Sequence, residues 1–401
     1  MLAVALAAWP ASAHGPPPAI VRVAASNDGS PSVVGLTEGL AQRLGARWVF
    51  VCPSLFGSKV VPHALSSDGH STWIASDTGI FLLDAEGRIS PVGLPGNGTV
   101  TALANAGGFT FALRFAADAS DVLRLDPALS EVVFSDQQPW SLLAGDGTHL
   151  FIARTEPSKL ILRELLTTGA ELKTSTLDTK DWESAIVELR ASGGSLYAAV
   201  NFGTSYAIFR IEGGTLLPLR SSDSPFVGPA VTASGASWIG SSTQLEQLNG
   251  SGPDAAFSLL TDAPLSCLET LGKDAFLCEQ HRLHALADGG PGAQLMGLDQ
   301  LVPPAAGDGD LEGSEACREE WVVFRNDLEN IGIGGERGDA AGSADSSGSP
   351  AASPIERGDS GACGCRYAHA NSAHGLLTAL TIYLLVISSR LRLWALRRVV
   401  S

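Results

Sequence analysis

The chain has 401 residues, 45 % of them hydrophobic and only 17 % charged, which is enough apolar material for a large core. Its 26 Lys and Arg against 42 Asp and Glu leave a net charge of −16, which repels phosphate backbones and excludes nucleic acid as a partner. Gly (45) and Pro (22) are frequent, as a fold with many tight turns requires.

Taken in chain order, positions 2–9 form an apolar run, followed by Pro10 and then Ala11-Ser12-Ala13, a small-x-small site. That pattern predicts a signal peptide over residues 1–13 and an exported chain; the basic leading segment is missing, and an unfolded Ala-rich N-terminus is the alternative. Positions 15–18 are a stiff, Pro-rich lead-in.

A repeating unit then takes over. It is plainest at positions 66–84, SSDGHSTWIASDTGIFLLD, where an Asp-Gly turn, an apolar run, a second turn and another apolar run follow one another. The first turn glycine recurs as Gly29, Gly69, Gly107, Gly147, Gly193, Gly235 and Gly272. A spacing of about 40 residues built of short strands is the pattern of a β-propeller, in which no repeat can bury its own faces alone. Three or four residues after each glycine stands Val33, Trp73, Phe111, Phe151, Tyr197, Trp238 or Phe276, placed to fill the gap between neighbouring sheets. Second-strand runs follow at 80–83, 122–125, 160–162, 207–211, 245–248 and 283–286. The first copy is the least regular, with 39–41 and 48–51 in these places. The prediction is an all-β fold, a seven-bladed β-propeller over residues 19–302. Six or eight blades stay open, because terminal blades are often completed by strands from both chain ends.

Cys267 and Cys278 are equidistant from the Gly272-Lys273 turn, so they are expected to face each other across one hairpin as a disulfide, with two buried free thiols as the alternative. Cys52 lies in the first repeat and Cys317 beyond the last; a bond between them would tie the ends of the ring, worth roughly 4–5 kcal/mol on the chain-entropy model. Residues 303–331 form a C-terminal closing segment. There Cys317, Trp321, Phe324, Leu328 and Ile331 follow a helical stripe, with a strand at 321–324 as the competing reading. Residues 332–361 have no apolar period and predict a flexible spacer.

In the tail, 362–401, Cys363-Gly364-Cys365-Arg366 precedes an apolar run at 376–389 and then Arg390, Arg392, Arg397 and Arg398. Counted from Ala368 with the arginines snorkelling, the run predicts a C-terminal transmembrane helix with the cations inside and the propeller outside. The order Cys-Gly-Cys-Arg, apolar helix and arginine cluster resembles the sorting tail of the myxobacterial MYXO-CTERM class. That resemblance implies a sorting protease that cuts near Cys363 or Cys365, lipid modification there, loss of 376–398 and anchoring at the outer surface of the cell envelope. A tail left uncut would tether the propeller to the membrane, facing the periplasm.

Positions 33–57 are similar to the opening blade of secreted bacterial propellers of the sialidase-like, BNR-repeat kind. Ser66-x-Asp68-x-His70-x-Thr72-Trp73 comes within one residue of their Asp-box turn. The resemblance implies fold more than activity, since catalysis in those enzymes relies on a tyrosine nucleophile with an arginine cluster, and this chain has only four tyrosines.

Other chemistry is sparse. Gly358-Asp359-Ser360-Gly361 has the letters of a serine-protease loop, but it lies in the spacer, without a fixed histidine partner. Cys363, Cys365, His369 and His374 are zinc-type residues without a fold to converge them, and His281 and His284 are expected on opposite faces of a strand. Loop carboxylates such as Asp118, Asp121 and Asp136 lack the alternation of a calcium site and suit a solvated surface. No catalytic residue, metal ligand or cofactor is therefore predicted, and binding residues are left unnamed. The sequence points to a non-enzymatic binding or structural module for a surface protein or polysaccharide. A glycan hydrolase or lyase working in the central funnel is the alternative.

Overall fold

The computed structural model describes residues 17–25, 29–56, 64–67, 71–76, 78–116, 119–179, 186–232, 235–249, 256–271, 274–287, 289–305 and 315–333. All of them belong to the first of the chain's two units, Met1–Gly338; the second, Asp339–Ser401, lies outside the described residues. So do the expected signal peptide and the apolar run of the tail. No helix among the described residues is long and apolar enough to cross a membrane.

The strands form seven sheets, each four consecutive strands joined as antiparallel hairpins, over 20–51, 64–92, 99–136, 142–178, 186–222, 226–261 and 267–297. The first strand of every sheet contacts the first strands of both neighbouring sheets, the seventh with the first included. Seven sheets closed around a common axis make a seven-bladed β-propeller. The described repeat glycines, Gly29, Gly107, Gly147, Gly193 and Gly235, lie between the inner and second strands of their sheets. At Gly193 the requirement is double: φ is +58°, and a Cβ would lie 2.5 Å from Val231 Cγ1 in the next blade.

The aromatic positions on the second strands do the expected packing. Trp73, Phe111, Trp238 and Phe276 are buried, as are Val33 and Tyr197. Phe151 differs, being only half-buried, because glycines of blade 5 stand where side chains would cover it.

The ring closes at the seam between blades 7 and 1. Ile20 N donates to Gln280 O at 2.6 Å, and the short strand Leu301–Val302 adds in parallel to the outer strand Arg47–Val51, making a fifth strand in the first blade. Helix α1, Glu315–Asn330, then covers the seam, so the helical reading of the closing segment holds over the strand. Phe324 stacks on Phe50 with ring centroids 4.8 Å apart, and Cys317, Phe324 and Leu328 join one core cluster with residues of both blades. Ile331 departs from the expected stripe and is 40 % exposed. The helix has ended: Gly332, at φ +79°, turns the chain in a Schellman motif, with Gly332 N bonded to Glu329 O and Ile333 N to Leu328 O. That reversal puts Ile333 into the cluster in place of Ile331.

Candidate functional site

Of the six cysteines, four are joined as expected. Cys52 and Cys317 form a disulfide with Cα atoms 5.4 Å apart, linking the first blade to α1. Cys267 and Cys278 are directly opposed in the hairpin register and form the second, at 4.9 Å. All four are buried. Two such bonds belong to a chain matured in an oxidising compartment. Cys363 and Cys365, the proposed sorting residues, lie outside the described residues.

The inner strands enclose a central channel of about 510 Å³. Most of its lining is small or neutral, because seven strands converging on one axis leave little room for side chains. On the side of blades 3 and 4 the wall carries Thr101, Asn105, Ser141 and Gly145. The charged wall is opposite, built by Glu188 and Arg190 of the inner strand Ile186–Ser192, Glu269 of Cys267–Leu271, and Arg22 of Ile20–Ala25.

Arg190 organises that wall. Its Nε donates to Glu188 Oε1 at 3.1 Å, and one terminal nitrogen donates to the carbonyls of Val227 and Leu268 at 3.2 and 3.3 Å, so a single guanidinium ties blades 5, 6 and 7. Glu269 Oε1 stands 3.9 Å away. Burial alone would raise the Glu188 carboxyl and discharge Arg190. For Glu188 the charges of Arg190 and Arg22 outweigh burial and hold it below the usual carboxylate range. Glu188 and Glu269 likewise keep Arg190 above its ordinary value. One turn further, the Ser192 and Thr270 hydroxyls lie 3.0 Å apart, and both accept from Val231 N.

This arrangement fixes ions in place and offers little for acid–base work. A carboxylate held ionised by two arginines is a poor general acid, and among the described residues neither His nor Tyr lines the channel. The signal for the wall was present in the sequence: a charge inside the apolar run that precedes a repeat glycine, as in Glu188 and Arg190 before Gly193.

Two further cavities open away from the axis. One, of about 580 Å³, lies where the end of α1 meets blade 7, lined by Glu279, His281, Arg282, Gln294 and Asp299. His281 sits in the turn before the strand Arg282–Ala287 rather than on a strand, so the face argument applies only to His284. Burial and the adjacent Arg282 hold the His281 imidazole below its usual value. The other, of about 230 Å³, lies between blades 4 and 5. Among the described residues no three His, Cys, Asp or Glu side chains come together as a metal site.

No protein-family model matches this chain, and no curated protein matches it. Among solved structures, virginiamycin B lyase from Staphylococcus aureus is similar over 56 % of this chain and 80 % of its own, at 16 % identity and a TM-score of 0.42. The extracellular domain of a one component system protein from B. thetaiotaomicron is similar over 68 % of this chain and 39 % of its own, at 10 % identity and a TM-score of 0.47. The β-propeller domain of Cps50 (Swd1) from Myceliophteria thermophila is similar over 69 % of this chain and 95 % of its own, at 13 % identity and a TM-score of 0.41. The propeller assignment rests on the seven sheets themselves, and no chemistry is carried over from these proteins.

Proposed function

We propose that this chain is an exported, surface-anchored propeller that binds a partner without transforming it. The observation that carries the reading is the channel wall, where the acids are engaged by Arg190 and, among the described residues, no histidine or tyrosine lines the cavity. The two disulfides support export, and the Cys-Gly-Cys-Arg tail, by its resemblance to a sorting signal, supports anchoring.

Between a protein and a polysaccharide as partner, the surface favours a protein. Flat sugar rings are usually met by exposed tryptophan or tyrosine, and none of either is exposed among the described residues. Exposed large apolar side chains among the described residues are instead Phe109, Phe115, Leu129 and Val132 on blade 3, Leu172 on blade 4, Leu259 on blade 6, and Val322, Val323 and Ile331 on or directly after α1.

The test is incubation of the full chain with a panel of envelope polysaccharides, with mass spectrometry of the soluble fraction. The expected outcome is no product. New saccharide ends whose formation is abolished by Glu188→Gln would establish the hydrolase or lyase reading instead.

A further inference from the structure

The cleft between blades 4 and 5 is a vacancy that the repeat should have filled. Phe151 occupies the position where other blades bury an aromatic ring, and here the ring faces a cavity of about 230 Å³. The space exists because the facing turns of blade 5 carry Gly194, Gly213 and Gly214. A Cβ at Gly213 would meet nothing within 4 Å, and those at Gly194 and Gly214 would only just touch Asp146 Oδ2 and Ser175 Oγ, at 4.0 and 3.9 Å. The repeat glycines show the same contrast: a Cβ on Gly147 of blade 4 would meet nothing within 4 Å, whereas one on Gly193, its counterpart in blade 5, would lie 2.5 Å from Val231 of blade 6.

The lining is amphipathic. Leu162 and Leu196, both buried, join Phe151 as an apolar floor. Asp146, Glu164 and His149 form the polar part, with His149 Nδ1 3.5 Å from Glu164 Oε1. Lys173 pairs across the strands with Glu164, leaving two carboxylates against one ammonium.

We propose that this cleft receives a single basic side chain, a guanidinium or ammonium on its aliphatic stem, from a protein partner. Three observations converge on that occupant. The apolar floor beneath acidic groups matches an aliphatic stem ending in a cation. The volume falls below the roughly 300–1,000 Å³ of ordinary small-molecule sites and suits one side chain. The chain as a whole carries a charge of −16, which draws basic partners. The proposal rests on the reading of this protein as a binding module and names the chemistry of its partner.

The experiment compares Nα-acetyl-L-arginine amide with its uncharged isostere Nα-acetyl-L-citrulline amide, titrated by calorimetry into the full chain. The arginine amide is expected to bind saturably and at least about 10-fold more tightly than citrulline. Asp146→Asn and Glu164→Gln should each erase most of that preference, and Ser195→Phe, which fills the cleft, should abolish binding while circular dichroism stays that of the native ring. Equal affinities, no saturable binding of the arginine amide, or a preference untouched by all three substitutions overturns the proposal. Those failures leave the wider binding reading standing, whereas saccharide cleavage dependent on Glu188 would remove that reading without altering the arginine preference.

Discussion

Asp121 and Arg114 show what one buried charge does in this ring. Arg114 donates from Nε to Asp121 Oδ2 at 3.2 Å and from a terminal nitrogen to the carbonyl of Pro95, and Ser135 donates to the other carboxylate oxygen at 2.7 Å. Burial would raise the Asp121 carboxyl, but these partners outweigh it and hold it below the ordinary 3.8. Its contribution to stability is therefore present above the unfolded value and lost as pH falls through the lower folded one. Asp121→Asn leaves Arg114 buried without its counter-charge, at a cost of about 3–5 kcal/mol; urea unfolding at neutral pH should show that loss, and the variant's stability should fall less steeply in acid. Glu38 has the opposite sign. Burial, and then the nearby Asp327 of α1, raise it above 4.5. The protonated form favours the fold, so stability declines as pH rises from the unfolded through the folded value. Glu38→Gln should raise the melting temperature at pH 7 and leave it unchanged near pH 4; a uniform shift at both would show that packing, not charge, is responsible.

The two disulfides belong to the scale of elements, and they differ in what they close. Cys52 and Cys317 are separated by 265 residues, Cys267 and Cys278 by 11. On the chain-entropy model the first is worth about 5 kcal/mol and the second about 3. Double Cys→Ala replacement of each pair, followed by urea unfolding, should rank the losses in that order. Equal losses would mean that the seam is held by α1 packing, through Phe50, Trp321 and Phe324, rather than by the bond. The strands were unevenly legible. Second and third strands of the blades declared themselves through a glycine followed by an aromatic or branched side chain, since both faces are buried. Outer strands carried a weaker pattern, as in Glu171–Asp178, where one residue of eight is buried and no apolar period survives. Inner strands were obscured by small residues such as Gly145, whose Cβ would lie 2.1 Å from Asn105 O. Helix α1 was readable from its stripe up to Leu328, but the stripe could not reveal the Gly332 reversal that exchanges Ile331 for Ile333.

At the scale of the molecule, the first blade is built wholly from the N-terminal segment, and the C-terminal segment adds a strand and a helix outside it. Closure thus depends on packing at the seam, reinforced by the Cys52–Cys317 bond. This construction explains why the cysteine spacing was informative while the way the functional side chains come together was not. A covalent pair leaves a signature in two positions. The channel wall and the blade 4–5 cleft draw on residues from several repeats, and only closure of the ring brings them together. The measurement that bears most directly on an exported, clasped and anchored ring is non-reducing peptide mapping with intact mass, on protein recovered from the cell envelope of its own host. The account predicts Cys52–Cys317 and Cys267–Cys278 as bonded peptides and a chain ending near Cys363 with added lipid mass. Four free thiols and an unmodified tail running through Ser401 would contradict it.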